Sequence, residues 1–326
     1  MPLLAVIGDV HYELGHLHRC LARAAARKVD GLLLVGDLGW HGLGRGRTSD
    51  PAVWGRYLRS VAEVLAAARA VGPIAWVPGN HDPHDLAARL GPIDGEGVCD
   101  GTVRTLAGLR IYGIGGAGPA RFGFPYEWSE AEIFARPSPD CDIILSHTPP
   151  AGTPLDLVAR GEDLHVGSEA IRARALAHRG ALVCGHIHES PAATWLNECL
   201  CFNPGGLGAP YGAAQMGFLD GTDAVEWEQL DLGVGWRRGR IQSRWKPSRS
   251  TYRRLTLNSV TVARIAPTNQ GGLVGHHQVG AASTLGLERP GQSVQVARAS
   301  FNTTVRADRI KRHYSAPRLL SGLTHL

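Results

Sequence analysis

The sequence predicts an α/β fold of layered type, in which two mixed β-sheets pack as a sandwich flanked by helices, followed by a poorly structured basic tail. Over roughly the first 100 residues, short apolar runs alternate with segments in which apolar residues recur at helical spacing. Further apolar runs, from the middle of the chain onward, predict antiparallel strands. The charge then changes abruptly. Residues 1–232 carry 18 Lys and Arg against 27 Asp and Glu, a net of −9, whereas residues 233–326 carry 16 against 2, a net of +14.

Strands and helices alternate through the first part of the chain. Leu14, Leu17 and Leu21 lie at helical spacing, and the apolar runs on either side are typical of buried parallel strands. Asp50 followed by Pro51 predicts the N-cap and first turn of a second helix. We expect strands at residues 3–7, 31–35 and 73–77, and helices at residues 14–28, 51–71 and 85–90.

The middle and late parts of the chain change character. Residues 102–106 and 109–114 predict a hairpin, and the loop that follows, residues 115–128, contains Arg121 and four aromatic residues. The remaining predicted elements are strands at residues 142–145 and 181–184, a helix at residues 168–178, and antiparallel strands at residues 198–202, 213–219 and 224–231. Residues 203–206 are interpreted as a turn between the first two of these antiparallel strands.

Residues 233–326 lack convincing periodicity, so we expect a mostly disordered extension after a first domain of residues 1–232. Three interpretations stay open for it: a basic arm that binds RNA or DNA through phosphates, an inert extension, or a translated frame that encodes no evolved protein. No apolar run is long enough for a membrane span, so no membrane partner is expected. The six cysteines form no C-x-x-C pair, which favours free thiols and a cytoplasmic location.

Polar side chains follow five of the predicted strands at their carboxyl ends, where ligands bind in open α/β sheets. The candidate metal ligands are Asp9, His11, Asp37, Asn80, His147, His186 and His188. Oxygen and imidazole ligands without a thiolate suit Mn²⁺, Fe or Zn²⁺. Seven ligands are too many for one ion and fit two that share a carboxylate, the arrangement used for in-line displacement at phosphorus. Ordinary turn residues are the alternative, which leaves the concentration of histidine unexplained.

In order and spacing, these groups resemble the motifs of the calcineurin-like metallophosphoesterase superfamily over residues 1–232. The motifs are Asp9-x-His11, Gly36-Asp37, Gly79-Asn80-His81-Asp82, His147 and Gly185-His186-x-His188. The resemblance implies a first ion held by Asp9, His11, Asp37 and His188, and a second held by Asp37, Asn80, His147 and His186. It also implies that His81 hydrogen-bonds the phosphate and protonates the leaving oxygen as general acid while a metal-activated water attacks phosphorus.

The sequence departs from the phosphoprotein phosphatase branch of that superfamily. Trp40 replaces the Asp that orients the catalytic histidine there, and Asp82 follows His81 where that branch has Glu. His41, one residue after Trp40, is a candidate substitute near the substrate. These departures favour a phosphodiesterase, nucleotidase or other small-phosphoester hydrolase over a phosphoprotein phosphatase.

Arg121 is predicted to bind a substrate phosphate, with an aromatic residue of its loop stacked on a base or apolar leaving group. A plain packed loop is the alternative. The other histidines of the first domain, His165 among them, are interpreted as surface or satisfied core groups. The favoured function is a two-metal hydrolase of a phosphodiester or nucleotide. The alternatives are a nucleic-acid-binding protein or nuclease that uses the basic arm, and a metal-holding scaffold without catalysis.

Overall fold

The computed structural model describes residues 1–40, 43, 50–160, 162–207, 214–231, 235–241, 254–257 and 260–263. The first elements along the chain are β1 (Leu3–Ile7), α1 (Leu14–Ala26), β2 (Gly31–Leu34), α2 (Pro51–Arg69), β3 (Ile74–Trp76), α3 (Leu86–Asp94), β4 (Val103–Leu106), β5 (Leu109–Ile114), α4 (Glu130–Ala135) and β6 (Ile143–Ser146). The later elements are β7 (Leu157–Arg160), β8 (Glu162–His165), α5 (Glu169–Ala177), β9 (Gly180–Val183), β10 (Ala192–Leu196), β11 (Cys199–Asn203), β12 (Gln215–Asp220), β13 (Ala224–Asp231), β14 (Gly235–Ile241), β15 (Arg254–Leu257) and β16 (Val260–Ala263).

Two six-stranded mixed sheets form the body of the protein, which confirms the predicted fold class. The first has the strand order β14-β13-β12-β1-β2-β3, and the second has the order β10-β11-β9-β6-β5-β4. Strands β1, β2 and β3 run parallel, as do β5, β6, β9 and β11, whereas the outer strands pair antiparallel. Parallel strands end at one edge of their sheet, so this topology places the loops after them together.

Successive side chains of each strand point to opposite faces of its sheet, and the apolar side chains therefore form three layers, one between the sheets and one on each outer face. In β1, Leu4 and Val6 pack between the two sheets with residues such as Phe202 and Trp227. The opposite face of the first sheet packs against α1 and α2, and the opposite face of the second packs against α4 and α5. The result is a sandwich of two sheets with helices on both outer sides, which fixes the strand ends rigidly relative to one another.

The late strands differ from the prediction in their pairing. The three runs between residues 198 and 231 are strands, but β11 belongs to the second sheet, where it pairs parallel with β9 and antiparallel with β10. Strands β12 and β13 belong to the first sheet. The predicted turn at residues 203–206 therefore begins the crossing from one sheet to the other, because strand periodicity says nothing about which sheet receives a strand.

Several short elements escaped the sequence analysis, among them α4, β10 and the β7–β8 hairpin. Strand β14 pairs with β13 and extends the first sheet past residue 232, where we predicted the first domain to end. Strands β15 and β16 form a further hairpin, and the rest of the predicted basic extension lies outside the described residues. Among the residues that the structure describes, no helix combines the length and apolarity needed to cross a bilayer.

Candidate metal centre

The predicted ligands lie on the loops that leave β1, β2, β3, β6 and β9, at one edge of the sandwich. Backbone hydrogen bonds connect these loops. The His11 N–H donates to the Asp37 carbonyl oxygen at 2.7 Å, and the Gly185 N–H donates to the His147 carbonyl oxygen at 3.0 Å. A further contact joins the two sheets: the His186 N–H lies 3.0 Å from Asp9 Oδ2. The sequence order of the motifs thus becomes a spatial cluster.

One group of four side chains has the dimensions of a metal site. A ligand atom from each of Asp9, His11, Asp37 and His188 lies within 4.8 Å of the other three. The Nε2 atoms of His11 and His188 are 3.3 Å apart, and His188 Nε2 is 3.1 Å from Asp9 Oδ1. Two ligands on bonds of about 2.1 Å, set at tetrahedral or octahedral angles, are about 3.0–3.4 Å apart. These separations therefore fit a shared cation.

The remaining predicted ligands adjoin this group through Asp37. Its Oδ2 lies 3.6 Å from His11 Nε2, and its Oδ1 lies 3.7 Å from His147 Nε2. His147 Nε2 is also 3.0 Å from Asn80 Oδ1, and the rings of His147 and His186 have centroids 5.0 Å apart. The two carboxylate oxygens of Asp37 thus face two different sets of ligands.

The orientation of His147 identifies which of its nitrogens is available to a cation. The Val35 carbonyl oxygen lies 2.7 Å from Nδ1 and can only accept, so Nδ1 carries the proton and donates. In the neutral form of His147 the lone pair on Nε2 faces Asn80 Oδ1 at 3.0 Å. A cation held between these two atoms would be bound by both, so the donor set and its arrangement fit a bound metal.

Burial and charge set the protonation states of the cluster. Burial opposes the charge on Asp37, but the surrounding imidazoles, His147 first, outweigh it and lower the pKa of that carboxyl. Burial lowers the pKa of His186 to about 3, and the nearby His147 adds to the shift. Burial also acts against protonation of His188, but Asp9 raises the pKa of that imidazole. Asp37 and His186 are therefore in the forms that bind metals, and His188 would release its proton on binding a cation.

His81 lies beside the cluster rather than inside it. Its Nε2 is 3.9 Å from Asp37 Oδ2, its ring centroid is 5.3 Å from that of His11, and its side chain is 28% exposed. The backbone N–H of His81 donates to Asp37 Oδ1 at 2.9 Å. An imidazole that borders the ligands and reaches solvent can approach a bound substrate.

The two predicted substrate residues have different outcomes. Arg121 has an exposed side chain on the loop that passes His81, and its backbone N–H donates to Glu127 Oε2 at 3.3 Å. Its role in binding phosphate stays a prediction. His41 lies outside the described residues.

The backbone around the centre is strained. Asp9, His11, Tyr12, Asp37 and His186 all have positive φ angles, between 22° and 67°, although none of them is glycine. Such conformations cost on the order of 1–3 kcal/mol each and concentrate at functional sites. The packing of the sandwich holds the strand ends in these conformations, so the geometry of the ligands is built into the fold.

Two glycines allow the loops to approach closely. A Cβ at Gly79 would lie 2.0 Å from Asp37 Oδ1, and a Cβ at Gly8 would lie 2.0 Å from the Gly205 carbonyl oxygen. Neither position can carry a side chain without displacing the neighbouring loop. The glycines in the motifs are therefore required by the distance between ligand loops.

Asp82 has a structural role that the sequence analysis did not assign. Its buried carboxylate accepts hydrogen bonds from the backbone N–H of Gly79 at 2.8 Å and of Leu38 at 3.2 Å, and from the hydroxyl of Tyr57. Burial, reinforced by the nearby Asp37, raises the pKa of Asp82. Asp82 thus ties the loop of Asp37 to the loop of Asn80. In the sequence, the position of Asp82 directly after His81 was the feature that could have indicated this role.

Asn203 connects the turn after β11 to the same centre. Its amide donates to the carbonyl oxygen of Ile187 at 3.0 Å and to that of Leu155 at 3.1 Å, and its Oδ1 accepts from the Gly205 N–H at 2.8 Å. Ile187 separates the two histidines of the His-x-His motif. The predicted turn at residues 203–206 therefore supports the ligands from outside, without supplying one.

Comparison with known protein families agrees with this geometry. A family model described as calcineurin-like phosphoesterase matches residues 2–190, more than half of the chain. This range contains all seven predicted ligands and His81.

Two curated proteins are similar to the chain. It is 30% identical over 152 residues to an uncharacterised protein of Methanocaldococcus jannaschii, covering 44% of this chain and 69% of that protein. It is also 30% identical over 204 residues to a cAMP/cGMP dual specificity phosphodiesterase of Mycobacterium tuberculosis, covering 58% of this chain and 57% of the relative. The chain thus spans little more than half the length of the mycobacterial protein.

A solved crystal structure shares the fold. It superposes with a TM-score of 0.56 at 17% identity, over 71% of this chain and 100% of the other. At this identity the likeness concerns the arrangement of the sheets and helices.

Proposed function

The chain belongs to the calcineurin-like phosphoesterase family, and from that premise we propose that it is a two-metal phosphoesterase that hydrolyses a phosphodiester or a nucleotide. The observation that supports two ions rather than one is the position of Asp37, whose Oδ2 faces His11 at 3.6 Å while Oδ1 faces His147 at 3.7 Å. A carboxylate with separate neighbours on its two oxygens is suited to bridging.

In this proposal each predicted ligand keeps the role that the resemblance implies. The first set is Asp9, His11, Asp37 and His188, and the second set is Asp37, Asn80, His147 and His186. Two divalent ions, of Mn, Fe or Zn, would when bound supply Lewis-acid stabilisation of the phosphoryl oxygens and lower the pKa of an attacking water. In this proposal the catalytic domain comprises residues 1–232 together with β14, which lies at the edge of its first sheet. The free state of all six cysteines favours a cytoplasmic location.

His81 has the position of a general acid. Its ring lies at the rim of the ligand cluster and its backbone is fixed to Asp37 by a hydrogen bond of 2.9 Å. From there the imidazole can donate a hydrogen bond to a substrate oxygen and pass a proton to the leaving group. Asp37 and His81 are thereby held in one rigid arrangement, so the acid stays aligned with the ligands.

The phosphodiester preference has two sources of support. Trp40 and Asp82 depart from the phosphoprotein phosphatase pattern. The mycobacterial relative, which is 30% identical, is named as a phosphodiesterase of cyclic nucleotides. Both favour a small diester over a phosphoprotein.

Hydrolysis of bis-p-nitrophenyl phosphate by the full chain tests the proposal, with Mn²⁺, Fe²⁺ or Zn²⁺ added in turn. We expect turnover that depends on metal and that falls by about 10²- to 10⁴-fold in His81→Ala, because general acid catalysis contributes on that scale. Metal content, measured by elemental analysis, should stay unchanged in this variant. Turnover by the native chain no higher than that of an Asp37→Ala variant would contradict the proposal.

A further inference from the structure

The loop that passes His81, residues 115–128, is anchored at its base by a partly buried polar network. The Tyr126 hydroxyl donates to Asp100 Oδ2 at 2.6 Å, and Arg136 donates to Tyr126 at 2.9 Å and to Asp100 at 3.1 Å. The Gly115 N–H donates to the same carboxylate at 2.9 Å. Fully satisfied networks of this kind rigidify the segments that they join.

The tip of this loop is fixed by a second carboxylate. Glu127 accepts hydrogen bonds from three consecutive backbone N–H groups, of Arg121 at 3.3 Å, Phe122 at 3.1 Å and Gly123 at 2.8 Å. The backbone of Tyr126 also donates to the Asn80 carbonyl oxygen at 3.2 Å. The backbone of the tip is therefore held next to a predicted ligand.

Two phenylalanines project from this fixed tip toward the catalytic side. The ring of Phe124 lies against that of His81, with centroids 4.4 Å apart at 50°. The ring of Phe122 lies 6.2 Å from that of Phe124, and Phe122 is 59% exposed. An aromatic pair held in the open beside the proposed acid leaves apolar area that a ligand ring would cover.

We propose that Phe122 and Phe124 form a binding platform for a planar aromatic group carried by the organic part of the phosphoester. The inference rests on the proposed function, because the phosphate of that ester must sit at the neighbouring metal centre. A nucleobase and an aryl ring share the required chemistry. The two rings offer π-faces and no hydrogen-bonding groups, so the platform selects aromatic over aliphatic esters and discriminates little between bases.

Isothermal titration calorimetry on the full chain loaded with Mn²⁺ tests the platform. One pair of probes is AMP and ribose 5-phosphate, which differ by the base. A second pair is phenylphosphonate and methylphosphonate, which differ by an aryl ring. We expect the aromatic member of at least one pair to bind about fivefold tighter or more, a ratio that corresponds to the lower end of base stacking on one aromatic side chain.

Two single-residue variants distinguish a loss of aromatic binding at the platform from a general loss of ligand affinity at the site. In Phe122→Leu the affinity ratio should fall toward one, while the affinity for the aliphatic probe stays unchanged because Phe122 has no role at the metal centre. Phe134→Leu is the matched control, since Phe134 is 58% exposed but lies on α4, and it should retain the native ratio. The pair whose ratio collapses identifies the ring as nucleobase or aryl.

Failure of this inference can be distinguished from failure of the proposed function. Native ratios near one in both pairs, or ratios unchanged in Phe122→Leu, would overturn the platform while leaving hydrolysis of bis-p-nitrophenyl phosphate intact. Loss of metal-dependent turnover in the native chain would instead remove the premise.

Discussion

Two Asp–His pairs in this protein, each with a buried carboxylate, have different surroundings. At the metal centre, His188 Nε2 lies 3.1 Å from Asp9 Oδ1. In the segment between β6 and α5, His165 Nδ1, at the end of β8, lies 2.7 Å from Asp156 Oδ1. Asp156 is fully buried and also accepts hydrogen bonds of 2.9–3.0 Å from the backbone N–H groups of Gly152, Thr153 and Gly167.

The two pairs differ in the hydrogen-bond donors that surround them. Around Asp156 the donors are sufficient to satisfy the carboxylate, so the pair holds the loop in place and needs no ligand. At the candidate metal centre the close contacts join side chains to one another, with His11 Nε2 3.3 Å from His188 Nε2 and His147 Nε2 3.0 Å from Asn80 Oδ1. Side-chain nitrogens and oxygens that converge in this way fit a cation, whereas a carboxylate enclosed by backbone N–H groups is complete without one.

The largest expected effect comes from changing Asp37, the residue that joins the two ligand sets. Asp37→Asn should lower kcat/KM on bis-p-nitrophenyl phosphate by roughly 10²- to 10⁴-fold, because in the proposed two-metal centre a bridging charge that stabilises the transition state is lost. Metal content measured by elemental analysis should fall from two ions to one or none. Retention of both ions with near-native kcat/KM would show that this carboxylate is structural, like Asp156.

The corresponding Asp-to-Asn substitution in the Asp156–His165 pair should change the stability of the fold and leave catalysis unchanged. Asp156→Asn should lower the free energy of unfolding by about 2–4 kcal/mol, because the amide cannot accept from all four donors and a buried charged partner is removed. Urea denaturation followed by circular dichroism measures this, and kcat per folded molecule should stay native.

Asp140→Asn is the control for this change. Asp140 pairs with Arg110 at 2.7 Å, but its side chain is 86% exposed, so no measurable change in unfolding is expected. Equal effects of the two substitutions would contradict the structural role of Asp156.

The smallest expected effect is the stabilisation by metal itself. At ten times the dissociation constant, one bound ion should raise the free energy of unfolding by about 1.4 kcal/mol. The native chain and Asp156→Asn should gain equally, and Asp37→Asn should gain less. Thermal unfolding with and without added Mn²⁺ measures the shift, and an equal gain in Asp37→Asn would place the ion elsewhere.

The sequence predicted the clustering of the candidate ligands better than the polar groups that support them. Asp9, Asp37 and His147 follow apolar strands directly, and the topology of parallel strands brings such positions together. Asp156 could not be identified in this way, because three of its four partners are backbone N–H groups, which every residue possesses. Spacing alone is also insufficient, since Asp163-x-His165 repeats the pattern of Asp9-x-His11 without a place at the centre.

In the fold as well, features set by neighbouring residues could be predicted from the sequence, whereas features set by contacts distant in sequence could not. The bounds of β1 and α2 follow from periodicity and from the N-cap Asp50, whose side chain accepts from the Ala52 N–H at 2.8 Å. The place of β11 in the second sheet depends on packing against β9 and β10, and its own residues carry no sign of that choice. The Phe122–Phe124 pair was visible as a cluster of aromatic residues, but its contact with His81 depends on a loop held by distant carboxylates.

The central position of β1 in the first sheet has a consequence for the order of folding. One edge of β1 pairs with β2 nearby in sequence, whereas the other pairs with β12, in a register that joins Leu3 to Asp220. During synthesis the β1–β2–β3 unit therefore emerges with an open edge, and it closes only when the distant strand arrives. Pairing across such a separation slows folding and exposes the edge to other chains. We expect ribosome-bound intermediates shorter than about 220 residues to require chaperone protection.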